Sequence, residues 1–293
     1  MSGRMLGWLK SMFESRGSEK NRCRHLFFIG NKRSGTTVLA HKINLHPDIF
    51  ITHETDIIWI LYNRYNGIPF EYYPRDEYHS TEVTLEKCRH ILDAYEQMTP
   101  MECYQKCQQH LMKTGTQWIK PTSKIPLCIG DKKPNQQSEK PVNDWVYSHF
   151  PDTRYVHIVR NPFDFLNSIP RLLPKYDLGA RYGSPRCEDP SVILETWAHF
   201  ERLVAQEKRR KRFPIYTVRF EDFCERPAAL LSDIWEFTGL DIPDDLKEKI
   251  QAGHDFGILP QGLHPDSRGN TVDVPLSENV REMMALYGYD SRR

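Results

Sequence analysis

Residues His25 to Thr37, His-Leu-Phe-Phe-Ile-Gly-Asn-Lys-Arg-Ser-Gly-Thr-Thr, constrain the fold of this chain more than any other stretch. An apolar run, Leu26 to Ile29, leads into Gly30, four residues, Gly35, Thr36 and Thr37. That is the spacing of a phosphate-cradling loop, which reads Gly, four residues, Gly, Lys, then Ser or Thr. A strand that delivers the chain to such a turn and on into a helix presents backbone N–H groups and a helix N-terminus to an anion. Thr36 stands where that loop carries its lysine. The positive charge sits instead at Lys32 and Arg33, inside the turn, where a guanidinium can grip phosphate or sulfate oxygens. A plain strand-to-helix connection is the competing account of these small residues.

Beyond the loop, short β-type runs alternate with helix-like stretches, the pattern of a parallel sheet covered on both faces. Strands are expected at 25–30, 48–52, 126–129, 154–159 and 215–219, and a first crossover helix over 35–46. Thr99-Pro-Met-Glu102 reads as a capping box with Gly115 past the end of its helix, Asp189-Pro190 opens a long helix toward Arg212, and Ser277 caps one that ends before Gly288. A chain of 293 residues accommodates one large α/β domain. We expect a single domain over 21–293, preceded by an amphipathic extension at 1–20 containing Met5, Leu6, Trp8, Leu9, Met12 and Phe13. That extension docks on the domain or, as the lesser alternative, touches a membrane surface.

A formal net charge of +1 argues against a general nucleic-acid coat, so no nucleic-acid partner is expected. Basic residues cluster only locally, as at Lys208 to Arg212, where cations complement a helix C-terminus. Seven scattered cysteines suit free thiols better than a disulfide framework. Cys103, Cys107 and His110 are spaced to share a helix face, but a half-buried helix accounts for them better than a metal site, and no metal is expected. There is no run of about twenty apolar residues, so no transmembrane segment is expected. Lys10 interrupts any signal-peptide core, and a cytoplasmic protein is the resulting expectation.

A second signature follows a later strand: Tyr155-Val-His-Ile-Val159 runs into Arg160-Asn-Pro-Phe-Asp-Phe-Leu-Asn-Ser168. A strand that ends in aspartate often helps to hold magnesium, but this one ends in arginine, with a hydroxyl two helical turns on. Such a pair can bind a second phosphate of the same nucleotide; a surface salt bridge and a helix-face hydroxyl are the plainer alternatives.

Arg33-Ser34-Gly35-Thr36-Thr37 together with Arg160 and Ser168 resembles the two nucleotide motifs of the sulfotransferases that use 3′-phosphoadenosine 5′-phosphosulfate (PAPS). The resemblance implies an α/β fold of P-loop-like type, a three-layer sandwich whose central, mainly parallel sheet carries helices on both faces. It further implies that Lys32, Arg33, Ser34, Gly35, Thr36 and Thr37 hold the 5′-phosphosulfate, that Arg160 and Ser168 hold the 3′-phosphate, and that the product nucleotide is adenosine 3′,5′-bisphosphate (PAP). Asp266-Ser-Arg-Gly-Asn270 resembles the family's C-terminal loop over the 3′-phosphate, with Arg268 and Gly269 as the matching residues, and 253–272 is expected to cover the nucleotide. Asp131-Lys-Lys-Pro134 falls where the family carries a lysine near the transferred group, which makes Lys132 a candidate with Lys133 as its alternate. Tyr216 to Phe223 resembles the family's Tyr-Glu-Asp strand, with Phe220 in place of the usual tyrosine, and Val38 occupies the position of an aromatic that often stacks on adenine.

The residue expected to activate the acceptor departs from the cytosolic enzymes, which place a histidine beyond the lysine, where this chain has Pro134 and Asn135. Ile51-Thr-His-Glu54 is instead similar to the segment in which tyrosylprotein sulfotransferases and related bacterial enzymes carry a glutamate base. The resemblance therefore implies Glu54 as base, with His53 in reserve and Arg33 and Lys132 stabilising charge, in an in-line transfer without metal. A carboxylate at the N-terminus of the helix starting near Asp56 is the structural alternative for Glu54. Residues 56–118, with Trp59, Tyr62, Tyr65, Phe70, Tyr72, Tyr73 and Tyr78 beside Glu71, Asp76 and Glu77, suit a small aromatic or cationic acceptor, or an ordinary helical core. A P-loop kinase and a catalytically silent nucleotide binder are the competing functions.

Overall fold

The computed structural model describes residues 23–68, 79–116, 119–168, 189–254, 256 and 274–290. Five parallel strands form its sheet: β1 (His25–Ile29), β2 (Ile49–His53), β3 (Cys128–Lys132), β4 (Thr153–Val159) and β5 (Ile215–Arg219), in the spatial order β2-β3-β1-β4-β5. Helix α1 (Thr36–Ile43) follows β1, and α2 (Ile57–Tyr65), α3 (His79–Asp93) and α4 (Pro100–Thr114) lie between β2 and β3. The short α5 (Pro134–Ser138) and α6 (Lys140–His149) precede β4, while α7 (Pro162–Ser168) and the long α8 (Pro190–Arg210) precede β5. After β5 come α9 (Phe220–Glu225), α10 (Pro227–Thr238), α11 (Asp244–Gln251) and α12 (Glu278–Leu286).

Strand periodicity explains the three layers. Leu26 and Phe28 of β1 join Ile51, Val156, Ile158 and Val218 in one buried cluster with α1 and α10. Their neighbours Phe27 and Ile29 join Phe50 and Tyr155 in a second cluster with α2, α4 and α6. Alternate side chains point to opposite faces, so a strand apolar at every position is buried on both. Val159, Phe165, Leu166, Trp197, Met283 and Met284 form a third cluster, which seats α7, α8 and α12 against the end of β4.

The helix signals are where the sequence puts them. The Thr99 side chain accepts from the Glu102 N–H, and the Glu102 carboxylate accepts from the Thr99 N–H, completing the capping box. Asp189 and Ser277 cap α8 and α12 through the N–H groups of Ser191 and Val280. Helix α1 stops at Ile43, short of the expected 46, because the Asn44 side chain turns to bond both N–H and C=O of Ile51. Strand β3 begins and ends later than expected. Gly130 allows that run, since a Cβ there would lie 1.8 Å from the Leu26 carbonyl oxygen, and Asp131 remains in the strand by hydrogen bonding rather than turning to water.

Cys103 and Cys107 face the core between α3 and α4, and His110 lies edge-on to His90 at 5.0 Å. Among the described residues no group of three or more His, Cys, Asp or Glu side chains could hold a metal ion, and no helix is long and apolar enough to cross a membrane. At the basic run, Arg210 and Arg212 pair with Asp144 and Glu207, so that helix end is an ion-pair network as well as a solvated terminus. The expected 1–20 extension and Cys187 lie outside the described residues, as does nearly all of the covering loop expected at 253–272.

Candidate active site

Four strand ends meet at the candidate site, those of β1, β2, β3 and β4. After β1, Gly30, Arg33 and Gly35 adopt left-handed conformations (φ 109°, 64° and 92°), which curl the turn before α1. Side chains from α5 and the residues opening it hold this loop: Ser138 Oγ accepts from the Gly30 N–H at 2.8 Å, Asn135 Oδ1 from the Lys32 N–H at 2.9 Å, and Gln137 Oε1 from the Phe28 N–H at 3.1 Å. Ser34 and Thr36 are buried, Lys32 is half-buried, and Arg33 and Thr37 are exposed. The Ser34 hydroxyl has no hydrogen-bond partner among the described residues.

Arg160 lies against this loop from the end of β4. Its guanidinium sits 4.7 Å from the centroid of the Phe220 ring, and its Nη1 donates to the Arg33 carbonyl at 3.4 Å. Phe220, the substitution for tyrosine, is thus a platform for the arginine. The same ring closes on the loop, since a Cβ at Gly35 would come within 2.4 Å of it. Arg160 is 8% exposed, and its Nε has no hydrogen-bond partner among the described residues. Ser168 is buried at the end of α7, with its hydroxyl donating to the Phe165 carbonyl at 2.6 Å. A Ser168 proton available to a ligand would require that rotor to turn.

On the other side of β1, the parallel register sets Thr52 opposite Asp131 and His53 opposite Lys132. The next residue, Glu54, therefore emerges beside the lysines. Lys132 Nζ is 2.5 Å from Glu54 Oε1, and Lys133 Nζ is 3.6 Å from Glu54 Oε2 and 2.6 Å from Asp56 Oδ1. Both lysines are buried, and Lys132 is the last residue of β3 rather than part of the loop after it. Glu54 and Asp56 both hold left-handed φ angles (53° and 56°), a strained exit from β2 of the kind found at functional sites. Glu54 does not cap α2: Asp56 occupies the N-cap position, without a side-chain cap bond, and Glu54 turns to the lysines.

These contacts set the proton affinities. Burial alone would raise the Glu54 pKa, but Lys132, Lys133 and Lys32 outweigh it and hold the carboxyl far below the usual carboxylate range. Burial, then the charge of Lys132 and the neighbouring His41, pushes the His53 imidazole well below its ordinary value, and the two rings lie 4.4 Å apart. Asp131, deep behind the lysines, is pushed up to about 7 by burial, against the pull of the Thr52 hydrogen bond and of Lys133. The site thus pairs two buried ammonium groups with Glu54 and Asp56, over an aspartic acid that holds its proton to near neutrality.

Of the expected acceptor side, Trp59 and Tyr62 lie 5.6 Å apart on α2, Tyr62 meets Trp145 edge-on, and Tyr65 is 54% exposed against His149. Phe70, Glu71, Tyr72, Tyr73, Asp76, Glu77 and Tyr78 fall outside the described residues, as do Arg268 and Gly269. Val38 packs on the core. The sequence reading missed Asp56 as the partner of Lys133 and missed the α5 amide and hydroxyl groups that hold the loop. The run Asn135, Gln137, Ser138 beside a strand-loop junction was the available signal.

A parallel sheet with a glycine-bounded loop and an arginine at adjacent strand ends, flanked by a buried lysine and carboxylate pair, places the protein in the α/β class. Residues 25–244, more than half of the chain, match the sequence model of the sulfotransferase family, and the chain belongs to that family. Among solved structures it is similar to the sulfotransferase domain from the curacin biosynthetic pathway, with 15% identity, a TM-score of 0.64, and 92% of this chain and 98% of that one covered. It is likewise similar to the sulfotransferase domain of the Synechococcus PCC 7002 olefin synthase, with 19% identity, a TM-score of 0.57, and coverage of 94% and 98%. At these identities the likeness is one of fold. No curated protein matches the chain.

Proposed function

We propose that this sulfotransferase moves the sulfuryl group from PAPS to a hydroxyl or amine of a small acceptor, by in-line transfer, with Glu54 as the base. The observation that carries the reading is the juxtaposition of Arg160 with the β1 loop. Arg160 is buried, rests on Phe220 and touches the Arg33 carbonyl, and among the described residues its Nε–H and the hydroxyl of Ser34 in the same loop have no hydrogen-bond partner. Buried donors in want of an acceptor suit an anionic ligand. The loop amides, Lys32, Ser34, Thr36 and Thr37 fit the 5′ group, and Arg160 fits the 3′-phosphate.

Glu54 and Lys132 act as a unit. Each neutralises the other at 2.5 Å. Lys132, drawn toward the sulfuryl oxygens and the bridging oxygen of the leaving nucleotide, loosens its hold on Glu54, whose pKa then rises toward that of a working base. Glu54 takes the acceptor proton, and Lys132 and Arg33 stabilise charge where it develops. Lys133, tied to Asp56 at 2.6 Å, stays in place beside Glu54. Two buried ammonium groups and an arginine supply cationic charge from the chain itself, which supports a transfer that needs no divalent ion.

Incubation with labelled PAPS and a panel of phenols, alcohols and amines in excess chelator tests this. We expect labelled acceptor from PAPS and none from ATP with magnesium. Transfer from ATP alone would establish the kinase reading. PAPS binding without turnover on any acceptor would establish a silent binder.

A further inference from the structure

The loop and Arg160 must keep a fixed separation if one nucleotide is to be held at both ends, yet they follow different strands. Helix α8 bonds to both. Trp197, fully buried, donates its indole N–H to the Arg160 carbonyl at 3.2 Å, and its own carbonyl accepts from Asn31 Nδ2 at 3.0 Å. One turn on, Glu201 Oε1 accepts from the same Asn31 Nδ2 at 2.8 Å, and Oε2 pairs with His157 Nε2 at 2.9 Å. Asn31, His157, Trp197 and Glu201 are all buried. Both N–H groups of the Asn31 amide are therefore committed to α8, which fixes this loop side chain in place. His157 abuts the loop as well, since a Cβ at Gly30 would lie 2.6 Å from its Cδ2. Next to Arg160, Glu221 Oε1 accepts from the Asn161 N–H at 2.8 Å, so the main chain that carries the guanidinium is held on two sides.

We propose that Trp197 and Glu201 form a strut that sets the donor loop and Arg160 in register, with Trp197 the positioning residue for the 3′-phosphate contact. The inference rests on the reading of Arg160 given above. Neither side chain touches the nucleotide. Trp197 acts through the Arg160 backbone, and Glu201 through Asn31. The two arms are separable: loss of the Trp197 bond releases only the 3′ end, whereas loss of the Asn31 bonds releases the loop and with it the 5′ end.

Calorimetric titration of the full chain with PAP and with adenosine 5′-monophosphate reads both ends. In Trp197→Phe the PAP affinity should fall about three- to tenfold, the worth of one hydrogen bond, with the monophosphate affinity unchanged. In Asn31→Ala both affinities should fall by the same factor. Equal weakening of both nucleotides in Trp197→Phe, or of neither, overturns the strut. Should Trp197→Phe fail to fold, Asn31→Ala decides, and a loss confined to PAP, or no loss, overturns it. If the unaltered protein binds the two nucleotides alike, the reading of Arg160 itself fails and the strut falls with it. If Arg160→Ala erases their difference while Trp197→Phe keeps it, the strut alone fails.

Discussion

Glu54, the proposed base, sits in an environment that works against basicity, with Lys132 at 2.5 Å and Lys133 at 3.6 Å. A carboxylate so placed becomes a proton acceptor only when a competing anion draws Lys132 away, which ties acceptor activation to the presence of donor. Glu54→Gln should lower turnover by roughly 10²–10⁴-fold and leave PAP affinity nearly intact, as steady-state kinetics and calorimetry would show. Unchanged turnover would move the base elsewhere, first to the neighbouring His53. The residue-scale reading of the sequence named Glu54, Lys132, Arg33 and Arg160 as candidates because each matches a position in the motifs of the resemblance, and the fold brings Glu54 to Lys132 and Arg160 to the Arg33 carbonyl. It did not reach Asp56 or Trp197, because a buried ion partner and a buried indole donor look in sequence like an ordinary helix-start acid and an ordinary core aromatic.

At the scale of elements, the strand-to-helix turn after β1 depends on backbone shape as much as on charge. Gly35 combines φ 92° with a Cβ position 2.4 Å from the Phe220 ring, so an alanine there meets both backbone strain and a clash. Gly35→Ala should lower stability by about 1–3 kcal/mol and weaken PAP and adenosine monophosphate alike, in thermal melts and titrations. Equal stability and affinity would mean that the turn does not need its present shape. The helix boundaries at Thr99, Asp189 and Ser277 were legible because capping is a local side-chain bond. The end of β3 was not, because Gly130-Asp131 reads as a turn until Thr52 and the Leu26 carbonyl, both on other strands, are brought against it.

For the whole molecule, the alternation of strand-like and helix-like stretches made a parallel sheet covered on both faces legible, but not the strand order. Order is fixed by contacts distant in sequence, such as the α5 side chains reaching the β1 loop. The buried charges also set how the fold responds to pH. Asp131, with a pKa near 7 against an ordinary 3.8, keeps its proton in the folded chain when the unfolded chain has lost it. Its contribution to stability is full below about pH 4 and lost as pH rises through 7. An amide in its place keeps an acceptor for Thr52 and Thr55 and cannot ionise. The stability of Asp131→Asn relative to the unaltered protein should therefore climb between pH 4 and 7, by at most about 1.4 kcal/mol per pH unit, and level off above, in denaturant unfolding at several pH values. A difference independent of pH would mean that Asp131 is ionised throughout.

The central claim is that one nucleotide is held at both ends, by the β1 loop and by Arg160. Calorimetric comparison of PAP with adenosine 5′-monophosphate, on the unaltered protein and on Arg160→Ala, tests it most directly. PAP should bind the unaltered protein more tightly than the monophosphate by at least about tenfold, the worth of a charge-assisted contact, and Arg160→Ala should remove this advantage while sparing the monophosphate. An advantage that survives Arg160→Ala, or one that is absent from the start, would contradict it.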